Sequence, residues 1–291
     1  MTHRASDRWG ILFALTAFTF WVFADSSIKI VGTSRLPAYE IIAFMGFFVS
    51  AAIALYAAAR RDIRLLKPAN PQHQAVRSGL DLANNLGVVI ALRHLPLPLF
   101  YILVFMAPLV VTALAAVFLH EKIGVRKALA VIVGFAGVVI AVNPFGASRQ
   151  GDWIGYAACM VCVACFSVNM VWSRVLTRTE TPESLTFFSG LVMIVFGFGA
   201  MLWHAEPIAG RWLIALLAMG IFCAIGSICF FVALKHTTAS NVSQYHYTQL
   251  LTGSVVSYLI WRQLPTASMM LGGVLIVAAG LYIALLSSGR T

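Results

Sequence analysis

The chain has 291 residues, of which 60% are apolar and only 10% are charged, and it carries a formal net charge of +10. A mean hydropathy of +0.89 excludes a soluble globular domain, because so apolar a chain needs lipid around it. The basic residues fall mainly in predicted loops and form no patch interleaved with aromatic side chains, so their charge does not indicate a nucleic-acid partner.

Ten apolar stretches of about 20 residues follow one another, and a helix of that length crosses a hydrocarbon core of about 30 Å. They lack the alternation of a membrane β-barrel, so helices are the structure that satisfies the backbone in lipid. The predicted fold is an all-α integral membrane protein with ten transmembrane helices. The predicted spans are residues 10–31, 38–59, 75–92, 97–119, 125–143, 152–175, 184–204, 211–234, 240–261 and 266–286.

The first span follows Arg4 and Arg8, as the apolar region of a signal peptide does. Its apolar run exceeds the roughly 7–15 residues of a signal peptide, and no small-x-small cleavage site follows, so we predict a membrane span. Trp21 lies near the middle of this span, where its ring either lines a substrate cavity or packs in the core. Asp25 lies nearer the outer leaflet and has two interpretations: an ion pair with Lys29 one turn away, or a direct role in coupling or gating.

The loop between spans 2 and 3 determines the predicted orientation. With the N-terminus in the cytoplasm, 14 of the 20 Lys and Arg residues fall on the inner side, as the positive-inside rule requires. Both termini are therefore predicted to be cytoplasmic. The five basic residues that favour this orientation most strongly are Arg60, Arg61, Arg64, Lys67 and Arg77.

Span 3 carries polar side chains well inside the membrane. Asp81 either pairs with Arg77, one turn before it, or takes part in coupling or gating. Asn84 and Asn85 lie a further turn along, where amides exposed to lipid would be costly. We expect them to face the bundle interior, where they bond neighbouring helices or bind substrate.

Span 4 presents Tyr101 as a candidate substrate contact and Pro108 at mid-depth. A proline removes a backbone donor and can kink the helix, which makes Pro108 either a candidate hinge for gating or a purely structural kink.

Span 6 contributes Phe166 and Asn169 as candidate substrate contacts, and a shift of 145 residues places Phe166 on Trp21 of span 1. This span also carries three cysteines on one helical stripe without a histidine or a carboxylate. Packing explains them better than metal binding, so we expect neither a metal nor a cofactor. These cysteines are Cys159, Cys162 and Cys165.

Span 9 has an unusually polar first half, over residues 241–249. Such a segment either lines a substrate cavity or bonds two helices together, because serine, threonine and glutamine serve both purposes. Its candidate substrate-binding residues are Gln244, Tyr245, His246 and Gln249.

The two halves of the chain repeat one another weakly. The shift of 145 residues also places Lys29 on Arg174, and a shift of 142 residues places the segment 91–94 on the segment 233–236. Each half holds five spans, so the second half enters the membrane from the opposite side. We therefore predict two inverted five-helix repeats, over residues 1–146 and 147–291, with the substrate between them near the midplane.

The end of span 4 and span 5 carry the most specific pattern: Pro108-Leu109-Val110, the run Phe-Leu-His-Glu-Lys at 118–122, then Gly134 and Gly137. This pattern resembles the EamA-type members of the drug/metabolite transporter superfamily, and the resemblance covers essentially the whole chain. The second half departs from it, with Arg262-Gln263 where a second loop glutamate is often found. Within the superfamily the chain looks most similar to the YddG-type amino-acid exporters.

The resemblance implies alternating-access export of amino acids, such as threonine, methionine and phenylalanine, or related small metabolites across a bacterial inner membrane. We expect this export to be facilitated or weakly ion-coupled, and the oligomeric state stays open. One alternative is broader drug or metabolite efflux with proton coupling through Asp25 or Asp81. A channel or a membrane enzyme is another, although neither GxSxG nor HExxH occurs in the chain. The expected partners are a small-molecule substrate and the lipid bilayer.

Overall fold

The computed structural model describes residues 2–107, 109–110, 125–143, 151–236, 242 and 245–288. In these residues the chain forms ten α-helices, and a 3-10 helix at Ile63–Leu66 joins the second helix to the third. The helices are α1 Thr2–Gly32, α2 Ala38–Ala59, α3 Pro71–His94, α4 Leu97–Val104, α5 Val125–Val142, α6 Trp153–Leu176, α7 Pro182–Met201, α8 Gly210–His236, α9 Thr248–Trp261 and α10 Ala267–Ser288.

Five helices of the described part are long and apolar enough to cross a membrane. The prediction of an all-α membrane protein is confirmed in this coarser form. Helix α3 is long enough but more polar, because Arg77, Asp81 and two asparagines interrupt its apolar run. The predicted fourth span continues beyond α4 into residues outside the described part. The five apolar segments are Trp9–Gly32, Ala38–Ala59, Trp153–Leu176, Pro182–Met201 and Gly210–His236.

Local sequence explains where several helices begin. The side chain of Asn70 accepts a hydrogen bond from the backbone N–H of His73 (3.3 Å), and Pro71 occupies the first helical position of α3. Asp152 caps α6 in the same way by accepting from the N–H of Gly155 (3.0 Å). That backbone hydrogen bond is the largest cause that holds the pKa of Asp152 below its usual value.

Loops from different parts of the chain meet at two opposite ends of the helix bundle. At one end, the carboxylate of Glu180 between α6 and α7 accepts from the N–H groups of Ala69 (3.0 Å) and Asn70 (2.8 Å) before α3. At the other, Glu40 at the start of α2 accepts from the N–H of Glu206 between α7 and α8 (2.7 Å). We name these the inner end and the outer end, after the predicted orientation.

The helices pack in matched pairs. Helix α1 packs against α8 and α3 against α6, while α2, α4 and α5 pack against α7, α9 and α10. This set of pairs is unchanged when each of the first five helices is exchanged for the helix five places later.

Helices α2 and α7 cross closely at two glycines. A Cβ atom on Gly46 would lie 2.6 Å from the carbonyl oxygen of Gly190 and 2.7 Å from the Cβ of Met193. The two backbones can approach this far only because neither glycine carries a side chain. This crossing forms part of the wall around the centre of the molecule.

Candidate functional site

A central cavity of about 100 Å³ lies among α1–α4 and α6–α9. His246, two residues before α9 begins, also lines it. Most of the residues selected from the sequence line this cavity. They are Trp21, Asp25, Asp81, Asn84, Asn85, Tyr101, Phe166, Asn169, His246 and Gln249.

Three selected residues are not among those lining it. Pro108 and Gln244 lie outside the described residues. Tyr245 is described, but it packs against a buried cluster that includes Phe18 and Met170.

Asp25 faces the cavity and accepts a hydrogen bond from the hydroxyl of Tyr101 (3.0 Å). The ion pair with Lys29, one of its two interpretations, is wrong. The ammonium of Lys29 donates instead to the carbonyl oxygens of Leu92 (3.1 Å) and Leu95 (2.8 Å). Carbonyls at the end of a helix lack helical donors and attract a cation, which explains why Lys29 turns toward α3.

Asp81 accepts a hydrogen bond from the side-chain amide of Asn169 (3.2 Å), which joins α3 to α6. The ion pair with Arg77, one of the two interpretations of Asp81, is also wrong. Arg77 donates to the carbonyl oxygen of Leu185 (2.8 Å) and to the hydroxyl of Ser189, both on α7. Near the outer end, histidines contact acidic side chains: His94 lies 2.7 Å from Asp152, and His204 lies 3.1 Å from Glu206.

Three amides lie at the cavity, and two of them also bond neighbouring helices. Asn84 accepts from the thiol of Cys162 (3.1 Å), and Gln249 donates to the carbonyl oxygen of Phe18 (3.2 Å), so both connect helices. Asn85 donates to a carbonyl of its own helix (2.8 Å). All three amides also contribute to the cavity wall.

Five rings form an aromatic cluster beside these polar groups: Phe18, Trp21, Phe166, Phe230 and His246. The ring of Trp21 lies 6.2 Å from Phe166 and 5.0 Å from Phe230, measured between centroids. His246 stacks on Phe18 at 4.7 Å and lies 5.1 Å from Phe166. Such rings offer an apolar surface and π faces that attract cations.

Helices α7 and α8 supply wall residues that the sequence interpretation missed. Cys162, interpreted above as packing, also lines the cavity. The signal that could have found the others is a small or hydroxyl side chain every three or four residues in an apolar helix. The missed polar and small residues are Thr186, Ser189, Gly190, Cys223 and Ser227.

Comparison with known proteins indicates a family of membrane transporters. The model of the EamA-like transporter family matches the chain twice, over residues 8–143 and 153–285. The S-adenosylmethionine uptake transporter of Rickettsia bellii is 26% identical over 266 residues, which cover 89% of this chain and 87% of that protein. The pseudopaline exporter of Pseudomonas aeruginosa is 27% identical over 277 residues, covering 93% and 94%.

Two further comparisons extend this set. The riboflavin transporter of Brucella anthropi is 24% identical over 260 residues, which cover 86% of this chain and 89% of that protein. A solved crystal structure superposes with a TM-score of 0.68 at 18% identity, covering 97% of this chain and 98% of the other. At that identity the likeness concerns the fold alone.

Proposed function

Because the chain belongs to the EamA-like transporter family, we propose that it carries a small amino-bearing metabolite, an amino acid or a derivative of one, by alternating access. It is a multi-pass protein of the bacterial inner membrane. The observation that carries the proposal is the pair of carboxylates on the cavity wall. The structure gives Asp25 and Asp81 neutral hydrogen-bond partners.

A substrate ammonium group fits this pair. An ionised carboxylate away from bulk water is costly unless a cation or several donors lie beside it. Tyr101 supplies one donor to Asp25 and Asn169 supplies one to Asp81, which leaves room for the N–H groups of an ammonium. The aromatic cluster would then receive the apolar part of the substrate, and the amides would bind its remaining polar atoms.

Neutral and aromatic amino acids suit this combination of carboxylates and rings. Two relatives carry larger molecules by name, S-adenosylmethionine and pseudopaline, and a third carries riboflavin. Broader metabolite efflux is therefore the second candidate. One of these relatives is an uptake transporter and another is an exporter, and export is the direction that we propose for this chain.

Because Asp25 does not pair with Lys29 and Asp81 does not pair with Arg77, proton exchange is the form of coupling that we favour. When the ammonium leaves, a proton is the smallest cation that can take its place on Asp25 or Asp81. Flux of a bound amino acid in proteoliposomes, measured with and without a pH gradient, tests this coupling. We expect faster flux with the gradient, and equal flux would show simple facilitation.

Alternating access rests on the proposed inverted repeats, residues 1–146 and 147–291. Two contacts support them. Lys29 donates to the carbonyl of Leu92 at the outer end, and Arg174 donates to the carbonyl of Leu234 at the inner end. Since Lys29 aligns with Arg174 and Leu92 with Leu234, the same contact occurs once at each end of the molecule. We call this pair the two clamps.

The distribution of charge supports cytoplasmic termini. The inner end holds Arg60, Arg61, Arg64 and Lys67 before α3, and it holds Arg178 in the loop after α6. Such clustering favours the cytoplasmic face.

A ligand panel tests the substrate class. The purified, reconstituted chain would be offered the twenty amino acids, the 2-hydroxy acid analogues of those that bind, S-adenosylmethionine and riboflavin. We expect binding of amino-bearing ligands with apolar or aromatic side chains and weak binding of the matched 2-hydroxy acids. Binding of riboflavin without any amino-bearing ligand would overturn the proposal.

A further inference from the structure

Arg77 is a fully buried cation with unused hydrogen-bond donors. Its side chain is 0% exposed, two turns into α3 from the inner end. One terminal nitrogen, Nη2, donates to Ser78 (3.3 Å) and to Leu185 and Ser189 of α7. Among the described residues, the other two side-chain nitrogens, Nε and Nη1, have no hydrogen-bond partner.

The protein's own carboxylates do not account for this arrangement. A guanidinium keeps its charge in proteins, and a buried one is normally paired. Asp81 and Glu180 act on Arg77 electrostatically, but neither forms an ion pair with it. Glu180 already accepts from two backbone N–H groups and from Ser184 (3.3 Å). The two free donors of Arg77 therefore need another explanation.

The position of Arg77 places it against the cavity wall. Two of its neighbours, Ser189 and Phe231, line the cavity, and its guanidinium carbon lies 5.3 Å from the ring centroid of Phe231. Asp81, which also lines the cavity, follows four residues later, about 6 Å along α3. Arg77 itself is not among the residues that line the cavity, so its guanidinium lies behind Ser189 and Phe231 and meets a ligand only when these side chains move.

We propose that Arg77 binds the carboxylate of a zwitterionic substrate whose ammonium group lies at Asp81 and Asp25. This inference rests on the proposed function and narrows its substrate class to molecules that keep a free carboxylate beside the amine. A guanidinium donates strong hydrogen bonds to carboxylates, and the free Nε and Nη1 can each supply one. One helical turn is also a suitable separation for the two charges of an α-amino acid.

The experiment compares an amino acid with its amide, for example phenylalanine and phenylalanine amide. Both ligands carry the same ring and ammonium group, but only one has a carboxylate. Affinities would be measured on the purified full-length chain. We expect the wild type to prefer the amino acid by about 10- to 100-fold, as for a hydrogen bond to a charged group. Arg77→Gln should abolish this preference and leave the affinity for the amide unchanged.

Two variants complete the design. Arg77→Lys retains the charge but not the two separate guanidinium donors, so it should recover only part of the preference, and it also provides a readout if Arg77→Gln does not fold. Arg178→Gln removes an exposed charge from the same end and should bind both ligands as the wild type does.

The outcomes separate the two levels of the proposal. An unchanged preference in both Arg77 variants, or a wild type that binds the amide as tightly as the amino acid, would overturn the role of Arg77 and leave the proposed function standing. A wild type that binds neither ligand would overturn both.

Discussion

Asp25 and Tyr101 show how single residues shape the cavity. Tyr101 reaches Asp25 because its ring lies directly on the backbone of Gly253 in α9, where any Cβ would overlap it. Trp21 depends on Gly226 in the same way, since a Cβ there would lie 2.8 Å from the indole nitrogen. Each of these aromatic rings therefore occupies its position only because the neighbouring helix has a glycine there.

Replacing Asp25 by asparagine tests the residue that we place at the substrate ammonium. The variant keeps the size of the side chain and removes its charge, so amino-bearing ligands should bind about 10- to 100-fold more weakly. Binding isotherms of the purified protein measure this loss. Asp62→Asn, an exposed change at a helix cap, is the matched control and should bind like the wild type. Wild-type affinity in Asp25→Asn would remove this carboxylate from the site.

Many polar residues of the cavity wall could be predicted from the sequence, but their hydrogen-bond partners could not. Amides and carboxylates are costly in lipid, so their presence in apolar spans indicated the interior, and ten selected residues do line the cavity. The i,i+4 spacing of Asp25 and Lys29 indicated an ion pair, yet Lys29 turns to the carbonyl end of α3. The partner of Lys29 depends on which helix packs beside α1, and residue spacing within one helix gives no information about its neighbours.

Among the helices, α2 and α7 have a larger role than the sequence indicated. Both line the cavity through side chains such as Met45, Thr186 and Ser189, although neither span carries an amide. Their closeness to the centre follows from the contact of Gly46 with Gly190, which spacing along one helix cannot reveal. The presence of each helix could be predicted from the length and hydropathy of its segment. Which helices contact each other could be seen only in the packed structure.

The glycine crossing predicts a difference between two similar substitutions. Gly46→Val would place a side chain against the backbone of α7 and should lower the thermal midpoint in detergent, because overpacking costs about 1–3 kcal/mol. Gly199→Val, on α7 but with nothing within 4 Å of its Cβ position, should change the midpoint little. Differential scanning fluorimetry measures both. Equal midpoints for the two variants would show that the crossing tolerates side chains.

The two clamps predict opposite effects from equivalent substitutions. Lys29→Met removes the clamp at the outer end and Arg174→Met removes the one at the inner end, and neither residue lines the cavity. The first change should favour opening to the outside and the second opening to the inside. Accessibility of a cysteine introduced in the cavity wall, probed from each side of the membrane, measures this shift. Shifts in the same direction would contradict the symmetry of the clamps.

At the scale of the whole molecule, two similar halves surround one central cavity. The family model matches each half of the chain once, and the helix pairs are unchanged when the halves are exchanged. Eight helices surround the cavity, and α5 and α10 pack together without lining it in the described residues. The lining itself is asymmetric, with Asp25 and Asp81 both in the first half. The exchangeable helix pairs therefore support the proposed alternating access, and the two carboxylates support the proposed amino-bearing substrate.

The most direct test of this account is counterflow in proteoliposomes. Vesicles loaded with an amino acid from the panel would be diluted into a trace of the same labelled amino acid. We predict transient accumulation of the label by the wild type and by Asp62→Asn, and none by Asp25→Asn that has inserted in equal amount. Equal counterflow in Asp25→Asn, or entry of label into wild-type vesicles that does not saturate, would contradict a carrier that works through this cavity.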